Sequence, residues 1–180
     1  MNNLRGHLLI AGPGLVDPNF HRTVVLVGEH NDDGALGIVL NRPSPVSVAE
    51  AAPPLAELVP AEEPLFVGGP VQPQSAVVLA ELSRPELADL LVFDSIGFLL
   101  GDVERPEAGA VRRARVFAGY AGWDAGQLES EMEESAWIPE PALPNDVFTD
   151  QPRLLWSAAL RRKGGKFAML SLMPLDPSLN

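Results

Sequence analysis

The chain has 180 residues, with 13 Lys and Arg against 24 Asp and Glu, a formal net charge of −11 and 46% apolar residues. That length and apolar share suit one domain over residues 1–180 with its own core, and they exclude a disordered chain. The acidity disfavours a protein that grips nucleic acid, because phosphate contacts come chiefly from Lys and Arg, and the lack of cysteine excludes disulfide frameworks, thiolate zinc sites, iron–sulfur clusters and cysteine nucleophiles.

The first apolar run, Leu8 to Val16, is interrupted by Gly12-Pro13-Gly14 and closed by Asp17, which makes a poor secretory leader. Its opening, Gly6–Ala11, reads as a strand, as do Thr23–Glu29 and Ala35–Asn41. A run as unbroken as Val24-Val25-Leu26-Val27 is expected where both faces of a strand are covered. The five residues His30-Asn31-Asp32-Asp33-Gly34 predict a β-hairpin loop, since Asn, Asp and Gly accept positive φ cheaply. Leu65–Val67 leads into a turn at Gly68-Gly69-Pro70, and Ser75–Leu82, Leu91–Leu100 and Val116–Tyr120 read as further strands. The apolar stretch Leu87–Leu100 contains Asp89 and Asp94 and falls short of the roughly 20 residues a spanning helix needs. The expectation is a soluble chain with no membrane partner and the cytoplasm as its default compartment.

Eighteen prolines and sixteen glycines cut the chain into short elements, which favours a strand-rich α+β domain over a helical bundle. The clearest helix signal places Asp124 at an N-cap, Gln127 at the capping-box position, and Trp123 and Leu128 as a hydrophobic staple, with Met132 and Ala136 continuing the inward face. A second helix is predicted over Arg153–Lys163, with Leu154, Leu155, Ala158 and Ala159 inward and Gly164-Gly165 ending it. Ile138–Pro152 joins the two as a Pro-rich connection. From Val116 to Pro152 there are eight acidic residues and no Lys or Arg, while Arg153 to Lys166 holds five basic residues and no acid. This pattern predicts that the second helix packs beside the first so that their charges partly neutralise; a free basic patch of Arg161, Arg162, Lys163 and Lys166 is the sharper alternative.

Motifs for known chemistry are missing. Gly12-Pro13-Gly14 starts like a dinucleotide fingerprint, but Asp17 stands at the third glycine position, and Asp94-Ser95-Ile96-Gly97 lacks the leading glycine of a hydrolase elbow. His7, His21 and His30 have no paired spacing for a metal, so neither metal nor cofactor is expected. The segment Gly119-Tyr120-Ala121-Gly122-Trp123-Asp124-Ala125-Gly126-Gln127-Leu128-Glu129 is the densest in signal: its glycines allow close backbone approach, either for packing or for a ligand at the helix start.

Leu8-Leu9-Ile10-Ala11, Asp17-Pro18-Asn19-Phe20, Glu29-His30 and Gly34-Ala35-Leu36-Gly37-Ile38-Val39-Leu40-Asn41-Arg42-Pro43 together resemble the opening of the YqgE/AlgH family of bacterial proteins. Gly68-Gly69-Pro70-Val71, Gly119-Tyr120-Ala121-Gly122-Trp123, Gly126-Gln127-Leu128-Glu129, Trp137, Trp156 and the closing Asp176-Pro177-Ser178-Leu179-Asn180 extend the resemblance over nearly the whole chain. It implies an α+β domain in which a bent, mostly antiparallel sheet forms a pseudo-barrel with flanking helices. It supplies no enzyme activity; the family is largely uncharacterised and has been linked to a proposed role in transcriptional regulation.

The residues themselves contain no helix-turn-helix pattern that would support DNA binding. They point first to a non-enzymatic regulatory protein binding a small molecule or a protein in a cleft built from Glu29, His30, Asn41, Arg42, Gly68, Gly69, Gly122, Trp123, Gln127 and Glu129, where polar residues and glycines concentrate at strand ends. The alternative is a hydrolase-like enzyme with Glu29 and His30 as acid and base, a pair set on opposite faces if both lie in one strand.

Overall fold

A computed structural model describes residues 2–100 and 106–174; the motif Asp176–Asn180 lies outside them. Ten strands occur in the order β1 (His7–Ala11), β2 (Val24–Asn31), β3 (Gly34–Val39), β4 (Pro43–Ser47), β5 (Pro64–Val67), β6 (Val71–Leu82), β7 (Leu90–Phe93), β8 (Ile96–Leu99), β9 (Val111–Asp124) and β10 (Trp137–Pro141). The helices are α1 (Val48–Ala51), α2 (Gln127–Glu133), α3 (Pro144–Val147), α4 (Leu155–Lys163) and α5 (Lys166–Leu170). The main sheet runs β10-β1-β2-β3-β9-β6-β8-β7, with β4 paired to β5 and β5 to β9. All pairings are antiparallel except β5 with β9. Strand β7 also comes against β2, so the sheet curls into an unclosed barrel, the α+β architecture expected.

The unbroken apolar runs are covered on both faces. Leu8 and Ile10 of β1, Val24 and Leu26 of β2, and Ile38 of β3 point into the barrel core with Phe66, Phe117 and Trp156. Leu9, Ala11, Val25, Val27 and Val39 point the other way, onto Trp123, Leu128 and Trp137. Helix α4 caps the barrel through buried Leu155, Trp156, Ala159 and Leu160, and the Trp156 indole donates to the Ala11 carbonyl at 2.9 Å.

Several boundaries depart from expectation. The hairpin is tighter than five residues, because β2 continues to Asn31 and β3 begins at Gly34; the Asn31 side chain accepts the Asp33 N–H at 2.8 Å and closes the tip. Leu91–Leu100 is two strands, turned at Asp94 in a left-handed conformation (φ 49°). Asp124 does not cap α2, because it is still in β9 opposite Gly34; the cap is Gly126 at φ 76°. Half of the predicted capping box survives, since Gln127 Oε1 accepts the Asp124 N–H at 3.0 Å. Ala136 lies beyond the end of α2, and Leu154 and Ala158 of the second helix are exposed while Trp156 and Leu160 take the inward places.

The predicted neutralisation between helices is also redistributed. Arg162 bonds to Asp146 at 2.7 Å and Lys163 to Glu140 at 3.3 Å, so the basic end of α4 is paired with the Pro-rich connection rather than with α2. That connection is itself structured, as β10 and α3. Asp146 holds the Arg162 guanidinium above its ordinary pKa.

Candidate functional site

The geometry of the site begins with one extra residue. Val27 lies opposite Gly37 and Glu29 opposite Leu36, so Gly28 has no partner on β3 and forms a β-bulge. A bulge changes the face on which every later side chain emerges. Without it Glu29 would follow Val25 and Val27 onto the tryptophan face; with it, His30 takes that side and Glu29 joins the side of Leu26, Leu36 and Ile38. Gly28 is required there, because a Cβ would lie 2.6 Å from the ring of Phe98.

On the tryptophan side, His30 is 7% exposed and fully engaged. Its Nδ1 accepts the Leu4 backbone N–H at 3.1 Å, which places the proton on Nε2, and Nε2 donates to Glu129 Oε1 at 2.7 Å. That bond is the main cause holding the Glu129 carboxyl below its ordinary pKa. Asn3, Asn31, Asp32 and Gly126 complete a polar pocket around the pair. With both imidazole nitrogens occupied, His30 ties the N-terminal segment to α2 and has no free atom for acid–base work. Its partner is Glu129 rather than the neighbouring Glu29, and it is a buried residue of β2 rather than the first residue of the hairpin loop.

On the opposite side, Glu29, Leu36, Ile38, Val77, Leu90, Phe98, Leu100 and Tyr120, with Gly28 and Gly37, line an open-mouthed pocket of about 320 Å³. Its described lining residues are apolar or glycine apart from Glu29 and Tyr120. Leu36 at its mouth is 42% exposed. Gly122 stands opposite Leu36 on β9, where a Cβ would come no nearer than 3.8 Å to Val71 and 4.0 Å to Leu36 and Tyr120. Neither crowding nor positive φ explains that glycine, whereas a glycine inside a strand often marks the approach of another molecule.

The remaining predicted residues do not enter this pocket. Asn41 Oδ1 accepts the Val24 N–H at 3.0 Å while its Nδ2 donates to the Arg22 carbonyl at 2.9 Å. Arg42 donates to the carbonyls of Asn19 at 2.7 Å and His21 at 3.0 Å, and burial lowers its pKa. Both residues fasten the Asp17–Arg22 loop to the sheet. Gly68 and Gly69 sit where β5 crosses β9: a Cβ would lie 2.3 Å from the Gly119 carbonyl oxygen and 2.2 Å from the Tyr120 carbonyl, respectively. Trp123 and Gln127 belong to a cluster around Glu131, whose carboxylate accepts the indole N–H groups of Trp123 at 2.9 Å and Trp137 at 2.8 Å and the Gln127 amide at 3.0 Å. Phe20 packs against both indoles.

The ten residues expected in one cleft are therefore distributed over two pockets and three structural ties. The apolar lining carries no local mark in the sequence, because Leu36, Ile38, Val77 and Phe98 are ordinary apolar strand residues and only the packing of distant strands leaves a pocket between them. Among the described residues, no three His, Asp or Glu side chains converge in a way that could hold a metal ion, and no helix is long and apolar enough to cross a membrane.

Comparison with known proteins places this architecture. The AlgH-like family model, a domain of unknown function, matches residues 8–168. A UPF0301 protein of Streptomyces coelicolor is 43% identical over 100% of this chain and 97% of its own length, and one from Chlorobaculum tepidum is 41% identical over 97% and 95%. The solution structure of the AlgH protein from Pseudomonas aeruginosa superposes with a TM-score of 0.72 at 34% identity, covering 97% of this chain and 96% of that one. A crystal structure from Corynebacterium diphtheriae gives a TM-score of 0.86 at 28% identity, covering 96% and 94%. The chain belongs to the AlgH-like, UPF0301 family of bacterial proteins of unknown function.

Proposed function

We propose that this protein is a non-enzymatic regulatory protein that acts by binding a small apolar molecule in the pocket between β2, β3, β6, β7, β8 and β9. The observation that carries this reading is the bulge at Gly28, which sets Glu29 on a wall otherwise made of Leu36, Ile38, Val77, Leu90, Phe98, Leu100 and Tyr120. Ligand sites are typically concave and apolar with a few placed polar groups, and about 320 Å³ lies at the small end of their range. Gly122 keeps the mouth clear. The Glu29–His30 hydrolase alternative loses support, since the two side chains line different pockets and both nitrogens of His30 are engaged. Direct contact with DNA gains none, since Arg162 and Lys163 are spent on internal pairs.

A thermal-shift screen of small metabolites against wild type and Val77→Phe tests the reading. Val77 is half-buried on the pocket wall, so the larger side chain fills the space. Ligands that stabilise wild type should lose their effect on the variant; stabilisation that is the same in both would overturn the assignment.

A further inference from the structure

The half-buried and buried carboxylates of the described residues share a pattern. Glu63 pairs with Arg115 at 3.1 Å, Glu81 with Arg113 at 2.6 Å, Glu140 with Lys163 at 3.3 Å, Asp146 with Arg162 at 2.7 Å and Glu129 with His30 at 2.7 Å. Glu131 has three neutral donors instead. Among the half-buried or buried acids of the described residues, Glu29 alone has neither an Arg, Lys or His partner nor a set of several donors: its bond is to the amide of Asn31 at a long 3.3 Å. No Lys, Arg or His among the described residues lines the pocket it faces. A carboxylate on an apolar wall is costly unless it is paired or hydrogen-bonded, and in this fold every other such group is provided for within the chain.

Resting on the pocket reading above, we infer that the ligand is a small amine: a compact apolar body carrying one ammonium group that pairs with Glu29. The apolar part lies against Leu36, Ile38, Val77 and Phe98, and Tyr120 supplies the second polar contact on the wall. The one charged side chain among the described lining residues is negative and the chain's net charge is −11, so both the local and the overall field favour a cationic head and repel an anionic one. A hydrogen bond between charged groups is stronger than a neutral one, which sets the size of the expected preference.

The test titrates n-hexylammonium, n-hexanol and n-hexanoate, and separately the blocked lysine N-acetyl-lysine methylamide, into the full chain at pH 7 by calorimetry. Hexylammonium should bind roughly tenfold tighter than hexanol, about 1.4 kcal/mol, and hexanoate weakest of the three. Glu29→Gln should erase the preference of amine over alcohol, with a wild-type urea unfolding midpoint showing that the variant is folded. Equal binding of amine and alcohol to wild type overturns the amine inference and leaves the apolar pocket standing. Failure of all three hexyl probes, in wild type and Val77→Phe alike, overturns both. Blocked lysine binding as tightly as hexylammonium overturns the small-molecule occupant in favour of a protein lysine.

Discussion

Replacing Gly69 and Gly122 by alanine, one at a time, separates glycines held by backbone crowding from the one that borders the pocket. At Gly69 the new Cβ would meet the Tyr120 carbonyl at 2.2 Å, with φ at 151°. Both offenders are main chain in the β5–β9 crossing, so relief requires the sheet itself to move. Overpacking costs about 1–3 kcal/mol and a strained backbone conformation a similar amount, which puts Gly69→Ala at about 2–6 kcal/mol destabilising. At Gly122 the nearest atom is 3.8 Å away, an ordinary contact, and alanine removes the entropic penalty of glycine in a strand, a gain of about 0.5–1 kcal/mol. Urea unfolding followed by tryptophan emission measures both. A Gly69→Ala midpoint equal to wild type, or a Gly122→Ala loss above about 1 kcal/mol, would refute the distinction. Gly122→Leu extends the same logic to function: it should fold normally and weaken ligand binding by crowding the mouth beside Leu36.

The structural ties give separate expectations. Glu131→Ala strands two buried indole N–H groups, so it should cost about 2–5 kcal/mol and alter tryptophan emission, whereas Glu131→Gln, which keeps an acceptor, should cost less in the same urea assay. Asn41→Ala leaves the Val24 N–H and the Arg22 carbonyl without their partner and should destabilise by about 1–3 kcal/mol, while the ligand dissociation constant stays that of wild type. For pH, Glu129 is held below its ordinary pKa by the His30 bond, so folding favours its deprotonated form. Its contribution is complete above the unfolded value of about 4.3 and is lost as pH falls through the lower folded value. Glu129→Gln should therefore show a shallower acid limb in urea midpoints measured from pH 3 to 7; an equally steep limb contradicts the pairing.

The strand content was legible because its cause is local. Unbroken runs such as Val24–Val27 need cover on both faces, and the barrel core and the tryptophan cluster provide it. The helix start was half legible: the Gln127 bond to the Asp124 N–H forms as read, but a ladder partner, Gly34, holds Asp124 in β9. The charge asymmetry was real in sequence, yet which acids meet Arg162 and Lys163 depends on β10 lying beside β1, a long-range pairing that no local spacing reports. The site was least legible for the same reason. Glu29 and His30 could be assigned to opposite faces, but which face each takes is decided by the bulge at Gly28, and the neighbour that demands glycine there, the Phe98 ring of β8, is remote in sequence.

Backbone amide chemical-shift mapping of the ¹⁵N-labelled full chain during titration with n-hexylammonium tests the central claim most directly. Shifts are expected to concentrate at Gly28, Glu29, Leu36, Ile38, Val77 and Tyr120, with Asn3, Gly126 and Glu129 of the polar pocket unmoved. Shifts centred on that polar pocket, or none at either, would contradict it.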